Sequence, residues 1–167
     1  QHAVPAASWG RAETYHITYA FLGDQDERTV APLGDALETA LGSSLAFDAT
    51  VGSSGFFPDS RRPRVAWVGL RPPEAFAALA DAVRGAVRSA GAGMDEKPFA
   101  PHMTIARMKA PWRRGDTEAF EKAFGGIALA ARVDVVSLYM SRLTTGGAQH
   151  TPLRVVRLAA RDLSRSE

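Results

Sequence analysis

The chain has 167 residues, 46% hydrophobic and 23% charged, with no cysteine and a formal net charge of +2. That length and composition bury one sizeable core or two small fused lobes, and exclude disordered, collagen-like and disulfide-stapled classes. Without cysteine there are no thiolate nucleophiles or sulfur-ligated metal centres, so His, carboxylates, hydroxyls and basic side chains must carry any chemistry.

The twenty basic residues are nearly all Arg. Such usage reflects coding bias as readily as function, yet Arg is the better fork for phosphate, and a sequence pI of about 9.3 suits an anionic ligand. There is no basic tail, so bulk coating of nucleic acid is not expected. No apolar run reaches the ~20 residues that span a bilayer, and the residues from Gln1 onward lack the charged and apolar regions of a signal peptide, so none is expected. A soluble, cytoplasmic protein is expected.

In chain order, residues 14–22 alternate and are rich in aromatic and β-branched types, which predicts a strand closed by Gly23-Asp24. Val30, Leu33, Leu37 and Leu41 share one helical face, with Pro32 in an early turn and Gly42 as the stop. Strands are predicted at 45–51 and 64–70, joined by a loop carrying Gly55, Pro58 and Pro63. Pro72-Pro73 opens the clearest helix, whose Phe76, Leu79, Val83 and Val87 form an apolar stripe that ends at Gly91. A strand at 100–108, a short helix at 116–124 and strands at 127–132, 135–142 and 153–159 complete the series. The order lacks regular βαβ alternation. It predicts an α+β fold of two pseudo-symmetric lobes, with antiparallel sheets facing a central cleft and helices outside, forming one bilobal domain over 1–167.

One local signal repeats. His16-Ile17-Thr18-Tyr19-Ala20 and His102-Met103-Thr104-Ile105-Ala106 both read His, apolar, Thr, apolar, Ala, on predicted strands about half the chain apart. The repeat suggests that each lobe offers one copy. Strand alternation puts the His and Thr of each copy on one face above an apolar layer. Two imidazoles flanking a phosphorus centre suit in-line displacement, one removing a proton from water and the other protonating the departing oxygen. The Thr hydroxyls donate to non-bridging oxygens, and no metal is required. Two other readings compete: histidines that are merely structural, and a metal site built from His16, His102 and His150.

These residues resemble the 2H phosphoesterase superfamily, named for two His-x-Thr motifs, and within it the RNA 2′,3′-cyclic phosphodiesterases, also called 2′-5′ RNA ligases. The likeness runs through HITYAFLG at 16–23, GFFP at 55–58, RVAWVG at 64–69 and PHMTIAR at 101–107, and reaches the closing strands at 137–143 and 151–153. It implies a metal-independent, cofactor-free enzyme, likened to a monomer, acting on RNA with 2′,3′-cyclic phosphate ends or 2′-5′ linkages. By the same resemblance His102 activates water and His16 protonates the leaving 3′ oxygen, which leaves a 2′-phosphate. With those roles exchanged, the reverse reaction forms a 2′-5′ linkage without ATP.

Thr18 and Thr104 are then the phosphate donors. Arg107 matches a basic residue that often follows the second motif, although strand parity turns it away from His102 unless a bulge intervenes. Phe56 and Phe57 are candidates for stacking on a base, with loop packing as the alternative. Related readings of the same site are a phosphodiesterase for 2′-5′ oligonucleotides or a cyclic phosphate of ADP-ribose, and a noncatalytic module that binds RNA ends. Two departures from the family pattern stand out. The fifteen residues before His16 show no apolar strand and helix, and His150 stands where a Tyr is common.

Overall fold

A computed structural model describes residues 6–124, 127, 129–145 and 147–160. Seven strands and three helices follow in order: β1 Ala7–Trp9, α1 Glu27–Leu41, β2 Phe47–Phe57, β3 Val65–Arg71, α2 Pro73–Ser89, β4 His102–Met108, α3 Arg114–Phe124, β5 Ala130–Val133, β6 Val135–Thr144 and β7 Gly147–Arg157. The chain divides into two compact units. The first comprises Gln1–Thr18, Ala49–Ala77 and Phe99–Ala131, and the second Tyr19–Asp48, Ala78–Pro98 and Arg132–Glu167.

The mixed α+β class expected from the element order is what the chain adopts. One sheet runs β1-β4-β3-β2-β5 and the other is the β6–β7 hairpin. The pairs β1–β4, β2–β3, β3–β4 and β6–β7 are all antiparallel. No helix among the described residues is long and apolar enough to cross a membrane.

In the first unit, alternation along β2 and β3 sends Phe56, Ala66, Val68 and Leu70 into the core. Phe56, Trp112 and Phe120 gather there, with ring centroids 5.3–6.1 Å apart, and Trp9 packs against Trp112 at 6.0 Å. The second unit has an aliphatic core. Leu33, Leu37 and Leu41 of α1 meet Leu79, Val83 and Val87 of α2 and Val136, Leu138, Val156 and Leu158 of the hairpin. These are the stripes that the 3.6-residue period marked in the sequence. Asp26 caps α1 by accepting from the Arg28 N–H at 2.9 Å, and Gly91, with φ of +71°, follows the end of α2.

Three local expectations change. Residues 14–22 are not a continuous strand; they hold a 3-10 turn at Ala12–Thr14 and a single bridge from Ile17 to Met103. Residues 52–57, expected as loop, continue β2. Ala7–Trp9, without a sequence signal of its own, adds a short strand alongside β4.

Candidate active site

Both His-x-Thr motifs belong to the first unit. The boundary between the units falls at Thr18–Tyr19, inside the first copy, and the two copies lie on neighbouring segments joined by the antiparallel bridge between Ile17 and Met103. Ile17 lies between His16 and Thr18, and Met103 between His102 and Thr104, so the bridge brings the two motifs side by side. Ile17 and Met103 point to the opposite face, so the two His and two Thr share one side. Directly opposed residues in such a pair have Cβ atoms about 4.5–5.5 Å apart. Two imidazoles and two hydroxyls are thus carried on adjacent segments of one unit.

The two rings are held in the same way. The His16 Nδ1–H donates to the Thr14 carbonyl at 2.8 Å, and the His102 Nδ1–H donates to the Ala100 carbonyl at 2.8 Å. In each case the acceptor lies two residues upstream on the chain. A carbonyl can only accept, so this contact assigns the proton to Nδ1 in the neutral ring and leaves Nε2 as the nitrogen that takes or gives a proton. The same bond survives in the imidazolium, where both nitrogens donate, so the anchor serves an acid and a base equally well.

The rest of the face follows from the register. Gly69 lies opposite His102, and Trp67 opposite Thr104. On the far side of β3, Ser53 pairs with Gly69, Gly55 with Trp67 and Phe57 with Val65. Glycine at 55 is a packing requirement, because a Cβ there would stand 2.5 Å from Trp67 Cζ2. The indole thus lies across Gly55 and stacks on Phe57 at 5.4 Å, while Phe57 meets the His102 ring edge-on at 5.0 Å. His102 is walled by aromatic rings and half-buried; His16 is exposed.

The expected base-stacking pair splits. Phe57 is 39% exposed beside His102, but Phe56 is only 6% exposed and faces Trp112 and Phe120. Phe56 is a core residue and presents no face to a ligand, because adjacent strand residues point to opposite sides.

Arg107 comes to the site face through a bulge. Trp67 pairs with Thr104 but Ala66 pairs with Ala106, so β4 has one extra residue, at Ile105, and parity reverses beyond it. Ala106 takes the core face with Ala66, and Arg107, opposite Val65 and Ser8, shares the face of His102 and Thr104. Sequence reasoning missed Trp67, Gly55 and Ser53 as elements of this face. Alternation along RVAWVG from Gly69 back to Trp67 is the signal that would have found them.

His150 lies in the second unit, where its Nδ1 is 2.8 Å from Ser141 Oγ and its ring meets Tyr139. Among the described residues no three His, Asp or Glu side chains are grouped to hold a metal ion.

Comparison with known proteins gives one answer at three levels. Residues 8–145 match the family described as the 2′-5′ RNA ligase superfamily. An RNA 2′,3′-cyclic phosphodiesterase of Geobacillus stearothermophilus is 38% identical over 63% of this chain, which spans only 33% of that relative's length. The RNA 2′,3′-cyclic phosphodiesterase of Thermotoga maritima is 30% identical over 84% of this chain and 74% of its own. Among solved structures, E. coli LigT complexed with 3′-AMP superposes with a TM-score of 0.71 at 26% identity, covering 93% of this chain and 83% of that one.

Proposed function

Since this chain belongs to the 2′-5′ RNA ligase superfamily of 2H phosphoesterases, we propose that it is a phosphodiesterase that opens 2′,3′-cyclic phosphate ends of RNA to 2′-phosphates by two-histidine acid–base catalysis. The observation that carries this reading is the Ile17–Met103 bridge, which brings the two His-x-Thr motifs side by side, with both rings anchored through Nδ1.

In the proposed step, Nε2 of His102 takes a proton from water as the water oxygen attacks phosphorus. The bond from phosphorus to the 3′ oxygen breaks, and His16 supplies the proton that the 3′ oxygen gains. Negative charge builds on the two non-bridging oxygens, where Thr18 and Thr104 donate hydrogen bonds and Arg107 brings fixed positive charge from the same face. General acid–base catalysis of this kind contributes about 10²–10⁴-fold per group. Phe57 and the Trp67 edge offer a stacking wall for the terminal base, consistent with the bound nucleotide in the E. coli LigT relative. If a 5′-hydroxyl takes the place of water, the same displacement forms a 2′-5′ linkage.

The reaction needs no cofactor, because imidazolium and guanidinium supply the positive charge. It needs no second copy of the chain, because all four motif groups belong to one unit; a monomer acting on RNA in the cytoplasm is the form we assign. The test is incubation with a 2′,3′-cyclic mononucleotide in EDTA, with the product identified by phosphorus NMR. A 2′-phosphate is the expected product. Absence of turnover, turnover only after metal is restored, or binding without turnover would overturn the reading.

A further inference from the structure

We propose that a basic rim at the closed end of the β2–β3 hairpin binds phosphates upstream of the reactive end, so that an RNA strand is preferred over a free cyclic nucleotide that the same site also opens. This rests on the function proposed above and extends it from the reacting phosphate to its neighbours.

Two stretches that are distant in sequence meet there. The Arg64 N–H donates to the Phe57 carbonyl at 2.8 Å, the Met108 N–H donates to the Arg64 carbonyl at 3.0 Å, and Val65 lies opposite Arg107. Arg64 is thereby set beside the end of β4 that carries Arg107 and Lys109, and Arg61 and Arg62 lie in the same hairpin turn, which begins at Phe57, the ring that touches His102. All five cations are exposed, and among the described residues none is in an ion pair.

The one carboxylate in the loop is already committed. Asp59 Oδ1 accepts from the backbone N–H groups of Arg61 at 2.8 Å and Arg62 at 3.1 Å, which fixes the turn and leaves both guanidinium groups to the solvent side. Gathered like charges repel, and a run of phosphates relieves that repulsion with bidentate hydrogen bonds.

Polarity favours a strand. A 2′,3′-cyclic phosphate is a 3′ end, so every other phosphate of the RNA lies on one side of it. The rim begins at Phe57, the aromatic neighbour of His102, and continues away from it. An aromatic platform followed by a basic track is the combination that holds single-stranded nucleic acid without reading its sequence.

The variant that tests this is R61A/R62A, which removes two exposed side chains and keeps the backbone bonds to Asp59. Fluorescence anisotropy would follow a short single-stranded RNA ending in a 2′-phosphate, with the matching mononucleotide as competitor, over a series of salt concentrations. The wild-type protein should bind the RNA more tightly than the mononucleotide. The double variant should lose about tenfold of that affinity at low salt and lower the slope of log K against log salt by about 1.4, the loss for two single-strand phosphate contacts. The ratio of kcat/KM for RNA with a cyclic end to that for the cyclic mononucleotide should fall in parallel.

Equal binding of RNA and mononucleotide by the wild-type protein would overturn the inference. So would an unchanged slope in the variant, an equal loss in R28A on α1, or displacement of the RNA by polyglutamate at matched charge. Failure to hydrolyse the mononucleotide would overturn the proposed reaction instead, since the anisotropy measurement reads the rim without turnover.

Discussion

The two units use the same residue type in opposite ways. In the second unit Arg84 and Arg88 meet Glu96, Arg132 meets Asp48, and Arg154 meets both Asp35 and Glu38, at 2.9–3.3 Å. Arg84, only 12% exposed, also donates to the carbonyls of Asp95 and Lys97, binding α2 to the segment that follows it. In the first unit Arg61, Arg62, Arg64 and Arg107 meet no carboxylate among the described residues, whereas Arg114 pairs with Glu118 on its own helix at 2.7 Å. Arginine thus ties together distant segments in the second unit, while in the first the cations around the β2–β3 turn are left for the anion proposed above. The cores differ correspondingly: aliphatic and helix-backed in the second, aromatic and reaching toward the reactive face in the first.

If that division holds, substitutions should separate activity from stability. The largest effect is expected at the motifs. His16→Ala and His102→Ala should each lower kcat by about 10²–10⁴ with little change in Tm, and the double variant should be no worse than the poorer single one, because the groups act as a unit. Turnover assays beside thermal melts check this, and a large fall in Tm would break the comparison.

Leu41→Ala, at a fully buried position in the second unit, should do the reverse. A loss of about 2–5 kcal/mol is expected from urea unfolding, with activity per folded molecule retained. Gly55→Ala tests where the two properties meet. The added methyl must displace the Trp67 ring, costing about 1–3 kcal/mol as overpacking and lowering kcat/KM through the Phe57–His102 contact. Unchanged kinetics would detach the aromatic wall from the site.

The smallest effect is a pH dependence. Burial raises the Tyr19 phenol from 10 to about 12. The unfolded chain therefore loses this proton first, and the contribution of Tyr19 to stability is whole below pH 10 and falls as pH rises from 10 to about 12. Tyr19→Phe should flatten that part of the curve of urea midpoint against pH.

The sequence carried the helices and the motif well, because both rest on local periodicity. The stripes at Val30–Leu41 and Phe76–Val87 fall within α1 and α2, and the paired His-x-Thr is a repeat visible in the residues themselves. What it did not carry depends on the neighbouring strand. Residues 52–57 looked like loop because Gly and Ser dominate them, yet Gly55 makes room there for an indole from β3. The face of Arg107 depends on a bulge defined by pairing between β3 and β4. Phe56 and Phe57 are chemically equal in the sequence and separate only once a sheet gives them opposite sides.

Both imidazoles are tethered to peptide oxygens rather than to side chains. No single codon change at Thr14 or Ala100 can delete such an acceptor, since every replacement residue brings its own carbonyl. The aim of the two rings, on which the proposed proton transfers depend, is therefore insulated from genetic drift at these two positions as long as the local chain path is kept.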